Sequence, residues 1–159
     1  NSQQITLSKE TIDLYYMLVQ LSDELSPVFA PRGNTVALHL AEDLTVEADP
    51  EKLARVFSNI LKNAASYSYP HTEITISAEK SEHEVIIQFQ NSGEDIPSEA
   101  LASLFDKFYR ADKSRSSDTG GTGLGLAIAK EIVTLHGGAI RASSKNHVIT
   151  FTISLPLAN

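Results

Sequence analysis

One segment limits the possible folds of this chain more than any other. It is a helix that starts at Asp49-Pro50 and carries apolar residues along a single face. Aspartate is a favourable N-cap, and proline suits the first helical position. The apolar positions recur with helical spacing and form a continuous stripe: Leu53, Val56, Phe57, Ile60, Leu61 and Ala64. Such a stripe has to be buried, so the helix must pack against another layer of the protein.

Two runs of alternating apolar and polar residues follow this helix and can supply that layer. They extend from Glu73 to Ala78 and from Glu84 to Gln90, on either side of the charged sequence EKSEH, and they predict an antiparallel hairpin. Ile5 and Leu7 could end a short strand, and further strands are expected at residues 36–40, 44–48, 139–143 and 148–155. Further helices are expected from Ile12, with Tyr15, Tyr16 and Val19 in helical spacing, from Ser98 to Phe105, and from Leu124 to His136. We therefore predict an α/β (α+β) two-layer sandwich with a mixed sheet of about six or seven strands and about three main helices on one face.

Composition excludes several classes of protein. The chain has 159 residues and a formal net charge of −7, with no basic stripe, which disfavours a nucleic-acid partner. It contains no cysteine, so disulfides and thiolate metal sites are excluded. No apolar run is long enough to span a bilayer, and we expect no direct membrane contact from this domain. The polar start predicts that residues 1–8 end a linker from an absent upstream domain and that residues 9–157 form a single domain.

The helix also carries polar residues at the border of its apolar stripe. Asn59 and Asn63 are one turn apart, and Tyr67 follows after another turn. Two amides and an aromatic ring suit a hard cation and a flat base, and Mg²⁺ needs few protein ligands because it keeps waters and phosphate oxygens. On spacing alone, however, solvated polar positions are the favoured interpretation, since exposed asparagine is common.

A glycine-rich loop runs straight into the last predicted helix, about sixty residues further along the chain. Glycines at 121, 123 and 125 leave room for backbone N–H groups to surround an anion, and the helix start adds positive dipole character. The loop lacks the GKS or GKT ending of a P-loop, and it follows a polar run where a dinucleotide fingerprint requires a strand. The alternative is a flexible linker, although the apolar residues Leu124, Leu126 and Ile128 begin within the glycines and argue against it.

Four segments in order now resemble a known family. They are NxxxNAxxYS from Asn59, NSGEDIP from Asn91, LFDKFYR from Leu104 and GTGLGLAIAK from Gly121. They are similar to the N, G1, F and G2 boxes of the catalytic, ATP-binding domain of sensor histidine kinases, which has the Bergerat-type fold of the gyrase, Hsp90 and MutL ATPases. The stretches IDLYYMLVQLSDE, DPEKLARVF and FYRADKSRSSDTGG are especially similar to the sensors of vancomycin resistance. The resemblance covers nearly the whole chain.

The resemblance implies roles for individual residues. Asn63 would be the principal magnesium ligand and Tyr67 would lie against adenine, while Phe105 and Phe108 would anchor a mobile ATP lid at about residues 106–122. The residues implied in catalysis are Asn59, Arg110 and Arg115. Those implied in binding ATP are Asn59, Asn63, Tyr67, Asn91, Gly93, Ile96, Phe108, Gly121, Thr122, Gly123, Leu124 and Gly125.

Three positions depart from the family pattern. Asn91 replaces the aspartate that accepts the adenine amino proton in most members, and Asp95 replaces a glycine, so the turn there must differ. Ser66 stands where a lysine often precedes the tyrosine, which removes a cation from the phosphate side. The amide at Asn91 loses charge assistance of about 1 kcal/mol per hydrogen bond, so we expect ATP affinity weaker than micromolar.

The resemblance favours a kinase over a hydrolase. The ATPases of this group have a glutamate that activates water at the position of Asn59, and an amide cannot act as that base. None of the five histidines has the HExxxP context of a phospho-accepting helix: His39, His71, His83, His136 and His147. We expect all five to be structural or solvated, and we expect this fragment to bind Mg-ATP without phosphorylating itself.

The implied partners are therefore mostly outside this chain. They are an upstream dimerisation domain that carries the acceptor histidine, acting in cis or in trans, and a cognate response regulator. The full-length protein would be a homodimer, with this domain on the cytoplasmic side of a bacterial membrane sensor. Two alternatives stay open: a serine kinase of the anti-sigma-factor type, and a scaffold that no longer binds nucleotide.

Overall fold

A computed structural model describes residues 5–106 and 125–158, and its strands form two sheets. The larger sheet has five strands in the order β2-β4-β5-β7-β6, with β2 parallel to β4 and every other pair antiparallel. The smaller sheet pairs β1 with β3 in antiparallel fashion. The strands are β1 (Glu10–Asp13), β2 (Thr35–Leu40), β3 (Thr45–Ala48), β4 (Glu73–Lys80), β5 (Glu84–Ser92), β6 (Ala139–Lys145) and β7 (Val148–Pro156).

The helices cover one face of the larger sheet. The described helices are α1 (Leu14–Glu24), α2 (Ser26–Phe29), a 3₁₀ turn (Ala30–Arg32), α3 (Pro50–Tyr67), α4 (Ser98–Ser103) and α5 (Gly125–Leu135). Every apolar residue of the predicted α3 stripe is buried. The stripe meets the alternate residues of β5 that face the helices, and the rings of Phe57 and Phe89 lie 5.8 Å apart. The predicted two-layer sandwich is confirmed.

A buried joint links the start of α3 to the end of α5. Asp49 caps α3 by accepting a hydrogen bond from the backbone N–H of Lys52 at 3.1 Å, and its other carboxylate oxygen accepts one from Ser8 at 2.8 Å. The backbone N–H of Asp49 donates to Nε2 of His136 at 3.0 Å, while Nδ1 of this imidazole lies 2.8 Å from the Ile132 carbonyl. These contacts require Nδ1 to carry the proton of a neutral ring. His136 is thus structural, as the sequence predicts.

Some local predictions were wrong. No strand forms at residues 5–7, since β1 lies at Glu10–Asp13 and contains Ile12. Asp13 caps the next helix by accepting a hydrogen bond from Tyr15, so the helix begins after Ile12. Its buried face is Leu14, Leu18 and Leu21, and Tyr16 is 70% exposed. The expected single sheet of six or seven strands is instead a five-stranded sheet and a separate pair.

Other predictions fall on residues that the structure does not describe. The predicted lid at about residues 106–122 lies almost entirely within 107–124, and the first half of the predicted linker lies within 1–4, both outside the described ranges. Among the described helices, none has the length and apolar character needed to cross a membrane.

Candidate functional site

The two segments expected to bind phosphate meet in the fold. Asn59 lies midway along α3, and its Nδ2 donates a hydrogen bond to the carbonyl of Gly125, the first residue of α5, at 3.2 Å. A Cβ on Gly125 would stand 3.8 Å from the Asn59 amide, so a small side chain there would only touch it. The described start of α5 therefore lies beside the amide edge of α3, and the N-terminus of a helix in general favours an anion.

Asn63 and Tyr67 continue this edge toward the end of α3. Both are half-buried. No hydrogen bond to the Asn63 side chain exists within the described ranges 5–106 and 125–158, which leaves its amide oxygen available to a ligand. Because the edge stands at the border of the buried stripe, these side chains can reach a ligand without disturbing the core.

Arg32 fixes the end of α3, a contact that sequence reasoning missed. Its guanidinium donates to the carbonyl of Ser68 at 2.7 Å and to that of Ser66 at 3.3 Å. Cationic donors are favourable at a helix C-terminus, where carbonyls lack partners within the helix. Arg32 comes from the 3₁₀ turn more than thirty residues earlier, so no local pattern in the sequence indicates this contact.

Gly93 is packed against the same helix end. A Cβ on Gly93 would lie 2.4 Å from the Tyr67 carbonyl oxygen, a distance that backbone atoms cannot tolerate. Gly93 also pairs with Ser68 in an antiparallel bridge, and its N–H donates to the carbonyl of His147 at 3.0 Å. Sequence reasoning attributed this glycine to the passage of the chain near a base. The described structure gives a second reason for glycine here, since the contact with Tyr67 by itself leaves no room for a Cβ.

Asn91 lies two residues before Gly93, on the face of β5 that the helices cover. Its side chain is 5% exposed, and it continues the buried row formed by Val85, Ile87 and Phe89. Within the part of the chain that the structure describes, Nδ2 of Asn91 has no hydrogen-bond partner. A buried amide N–H left unpaired costs about 1–3 kcal/mol, and Oδ1 of Asn34 is the other buried side-chain atom of the described chain in this situation.

Asp95, the residue that replaces a family glycine, anchors the loop after β5. Its carboxylate accepts hydrogen bonds from the His147 backbone N–H at 2.7 Å and from the Ser144 hydroxyl at 3.3 Å. The same hydroxyl accepts one from the N–H of Ile96 at 2.8 Å. The turn at Asp95 was predicted to differ from the family pattern. In the structure, hydrogen bonds from Asp95 connect the loop after β5 to the β6–β7 turn.

Tyr69 contacts the same loop and the same β6–β7 turn. The hydroxyl of Tyr69 donates to a carboxylate oxygen of Glu94 at 3.1 Å and lies 3.1 Å from Nδ1 of His147. Partial desolvation and then the hydrogen bond with Glu94 raise the pKa of Tyr69 above its ordinary value. The phenol therefore stays protonated and available as a donor at neutral pH.

Phe105, the first of the two residues predicted to anchor a lid, lies within the described structure. Phe105 packs edge-on against Phe151, with ring centroids 6.2 Å apart, and the ammonium of Lys130 lies 6.0 Å from the Phe105 ring. The remaining predicted site residues lie outside the described ranges: Phe108, Arg110, Arg115, Gly121, Thr122, Gly123 and Leu124.

Comparison with known proteins decides the family. The family described as "Histidine kinase-, DNA gyrase B-, and HSP90-like ATPase" matches residues 48–159, which is well over half of the chain. The chain belongs to this ATPase family. Membership in this family confirms the resemblance of the four sequence segments. It also implies that a domain with this fold uses ATP.

Individual relatives agree with this result. Over 156 residues the chain is 56% identical to the sensor protein VanS of Enterococcus faecium. This match covers 98% of the chain and 40% of VanS. The catalytic domain of the histidine kinase ThkA has the same fold, with a TM-score of 0.83, 26% identity and coverage of 94% of this chain and 97% of that one. A second ThkA structure, in complex with the response regulator protein TrrA, has a TM-score of 0.81 at 23% identity and covers 96% and 42% of the respective chains.

Proposed function

We propose that this chain is the ATP-binding catalytic domain of a two-component sensor histidine kinase. It binds Mg-ATP and transfers the γ-phosphoryl group to a histidine on a dimerisation domain elsewhere in the protein. The observation that carries the proposal is the contact of Asn59 with Gly125, because it places the amide edge of α3 beside the start of the helix that follows the glycine-rich loop.

The described residues fit a nucleotide along this edge. Asn63, half-buried and without an intramolecular hydrogen bond in the described chain, would hold magnesium, and Asn59 would lie near the phosphates. Tyr67 would lie against the base, whose polar edge would meet the unpaired amide of Asn91. Gly93 and Ile96 would form the adjoining wall. The lid residues Phe108, Arg110 and Arg115, with Gly121 to Gly125, would close on the phosphates.

Transfer to a protein nucleophile fits this site better than hydrolysis. Phosphoryl transfer depends mainly on positioning and on electrostatic stabilisation of a loose transition state. Asn59 supplies a donor and an acceptor at the phosphates but no carboxylate to activate water. Its Nδ2 is also engaged with Gly125. A nucleophile delivered by another domain completes the reaction.

The relatives support the remaining partners in this proposal. VanS is a sensor protein, and the chain spans 40% of its length, so the acceptor histidine would lie in the part of a full-length sensor that this chain lacks. A response regulator would receive the phosphoryl group, as the ThkA complex with TrrA suggests. We place the domain on the cytoplasmic side of a membrane sensor that works as a homodimer. Its similarity to VanS suggests a role in vancomycin resistance.

Calorimetric titration with ATP, with and without magnesium, tests the proposal. Asn63→Ala should abolish the magnesium-dependent part of the binding, since it removes the amide oxygen and leaves the buried stripe intact. Ser58→Ala, on the other border of the same stripe, is the matched control and should bind like the wild type. Unchanged Mg-ATP affinity in Asn63→Ala would refute the magnesium assignment. A wild-type domain that binds no ATP would instead favour the nucleotide-free scaffold.

A further inference from the structure

The loop from Gly93 to Ile96, which we call the base loop, is fixed to the rest of the fold by hydrogen bonds at both of its ends. The backbone N–H of Gly93 donates to the His147 carbonyl at 3.0 Å. At the other end, the N–H of Ile96 donates to Oγ of Ser144 at 2.8 Å, and Oδ1 of Asp95 accepts from the His147 N–H at 2.7 Å. The partners of the base loop therefore come from β6 and from the turn that joins β6 to β7.

This turn has a defined backbone conformation. Asn146 and His147 join the paired residues Lys145 and Val148, and their φ angles of 54° and 64° are those of a two-residue hairpin turn. Such positive angles are uncommon for residues other than glycine. Both backbone groups of His147 bond to the base loop, the N–H to Asp95 and the carbonyl to Gly93. The turn and the base loop therefore hold each other in place.

Asp95 and Ser144 complete this connection with their side chains. The Ser144 hydroxyl donates to Oδ1 of Asp95 at 3.3 Å while it accepts from the N–H of Ile96. A serine hydroxyl can do both at once, because it has one proton and two lone pairs. Oδ1 of Asp95 is thus the common acceptor of one donor on β6 and one donor in the turn. Loss of this oxygen would release both donors together.

We infer that Asp95 and Ser144 are positioning residues for the nucleotide, because they hold the base loop in the conformation that meets the base and so strengthen ATP binding. The inference rests on the proposed function, in which Gly93 and Ile96 form a wall beside the base. A ligand that binds an ordered loop does not bear the entropic cost of ordering it. When a loop is in its binding conformation only part of the time, the apparent affinity falls in proportion to that fraction.

Two substitutions of Asp95 separate positioning from charge. Asp95→Gly removes the acceptor and adds backbone freedom, so the affinity for Mg-ATP should fall by at least about fivefold. Its effect on charge has the opposite sign, because removal of a negative charge favours an anionic ligand. Asp95→Asn removes the same charge but keeps an acceptor oxygen, and it should bind Mg-ATP within about twofold of the wild type.

A pair of adjacent serines supplies a second, independent comparison. Ser144→Ala removes the acceptor of the Ile96 N–H with little change in volume, and it should weaken Mg-ATP binding by about fivefold. Ser143→Ala is the matched control, since Ser143 is exposed and its side chain points to the opposite face of β6. It should bind Mg-ATP like the wild type.

The assay is displacement of trinitrophenyl-ATP by Mg-ATP and, separately, by Mg-tripolyphosphate, which has no base. Positioning of the base loop should affect ATP alone, so the affinity for tripolyphosphate should stay within about twofold of the wild type in every variant. Thermal unfolding checks that each protein is folded. Amide hydrogen exchange without nucleotide gives a second readout, in which the Ile96 and His147 N–H groups should exchange about fivefold faster in Asp95→Gly.

Each failure has its own signature. An Asp95→Gly protein that binds Mg-ATP as tightly as the wild type, or that loses affinity for tripolyphosphate to the same extent, would overturn the inference and leave the nucleotide site standing. Equal losses in Asp95→Asn and Asp95→Gly would do the same, because charge would then account for the effect. Unchanged exchange at Ile96 in Asp95→Gly would also overturn it. If the wild-type domain binds neither ligand, the proposed function fails and the inference fails with it.

Discussion

Gly93 gives the sharpest prediction, because its packing is set by backbone atoms that cannot rotate away. In Gly93→Ala, the new methyl group would lie 2.4 Å from the Tyr67 carbonyl oxygen. Relief requires the end of α3 and the end of β5 to separate by nearly 1 Å, since real Cβ contacts essentially never fall below 3.0 Å and are usually longer. The bridge between Ser68 and Gly93 lies within that contact and would be disrupted.

The magnitude follows from the size of this displacement. Forcing one methyl group into a packed site costs about 1–3 kcal/mol, and here the obstructing atom is backbone. For a domain of this length, about 2 kcal/mol lowers the melting temperature by about 4–8 °C. Because the displaced segment carries Tyr67, the substitution should also weaken Mg-ATP binding by about tenfold in protein that remains folded.

The matched control is Gly138→Ala. A Cβ on Gly138 would lie 2.1 Å from the Ser154 carbonyl oxygen, a similar backbone clash at the start of β6, beyond the joint at His136. Scanning calorimetry should show a loss of stability in both variants, whereas titration below the melting range should show weaker ATP binding only in Gly93→Ala. A Gly93→Ala protein as stable as the wild type would refute the packing argument, and equal losses of affinity in both variants would refute the local effect on the site.

Two further predictions concern carboxylates. Hydrogen bonds from the backbone N–H of Ser8 and then Lys52 hold the pKa of Asp49 below its ordinary value. The stability that its ionised form contributes is thus fully present above about pH 4, the pKa in the unfolded chain, and is lost as the pH falls through the lower folded value. In urea unfolding, Asp49→Asn should be about 1 kcal/mol less stable than the wild type at neutral pH, and this difference in stability should shrink in acid. A difference in stability that does not depend on pH would contradict the prediction. Asp95→Gly should lower the free energy of unfolding by about 1 kcal/mol, because the His147 N–H loses its acceptor. Asp95→Asn keeps an acceptor and should lower it by less. If Asp95→Gly were as stable as the wild type, the hydrogen bond between Asp95 and His147 would not stabilise the domain.

The parts of the fold that follow from local periodicity were predictable. The α3 stripe, its Asp49 cap and the β4–β5 hairpin are all read from residues that are close in sequence, and each is observed. The start of α1 was misplaced because Ile12 fits a helical spacing equally well. Only the pairing of β1 with β3, more than thirty residues away, assigns it to a strand.

In the candidate site, too, residues indicated by local sequence were predicted and residues that act through tertiary contacts were missed. Asn59, Asn63 and Gly125 were found from spacing and from the resemblance, and the fold brings Asn59 against Gly125. The supports of the site were missed, because Arg32, Ser144 and His147 reach it only through tertiary contacts. Nothing in a window of sequence around these residues indicates which carbonyl or carboxylate they will meet.

The joint between Asp49 and His136 has a mechanical consequence for the two helices that carry the site. It fixes the C-terminal end of α5 to the N-terminal end of α3, while the other end of α5 touches α3 through Asn59 and Gly125. The 11 residues of α5 span about 16 Å. A contact at each end therefore keeps the two helices from turning relative to one another. Ser8 binds the same aspartate, so the segment before β1 is joined to the end of α5 that is remote from Gly125.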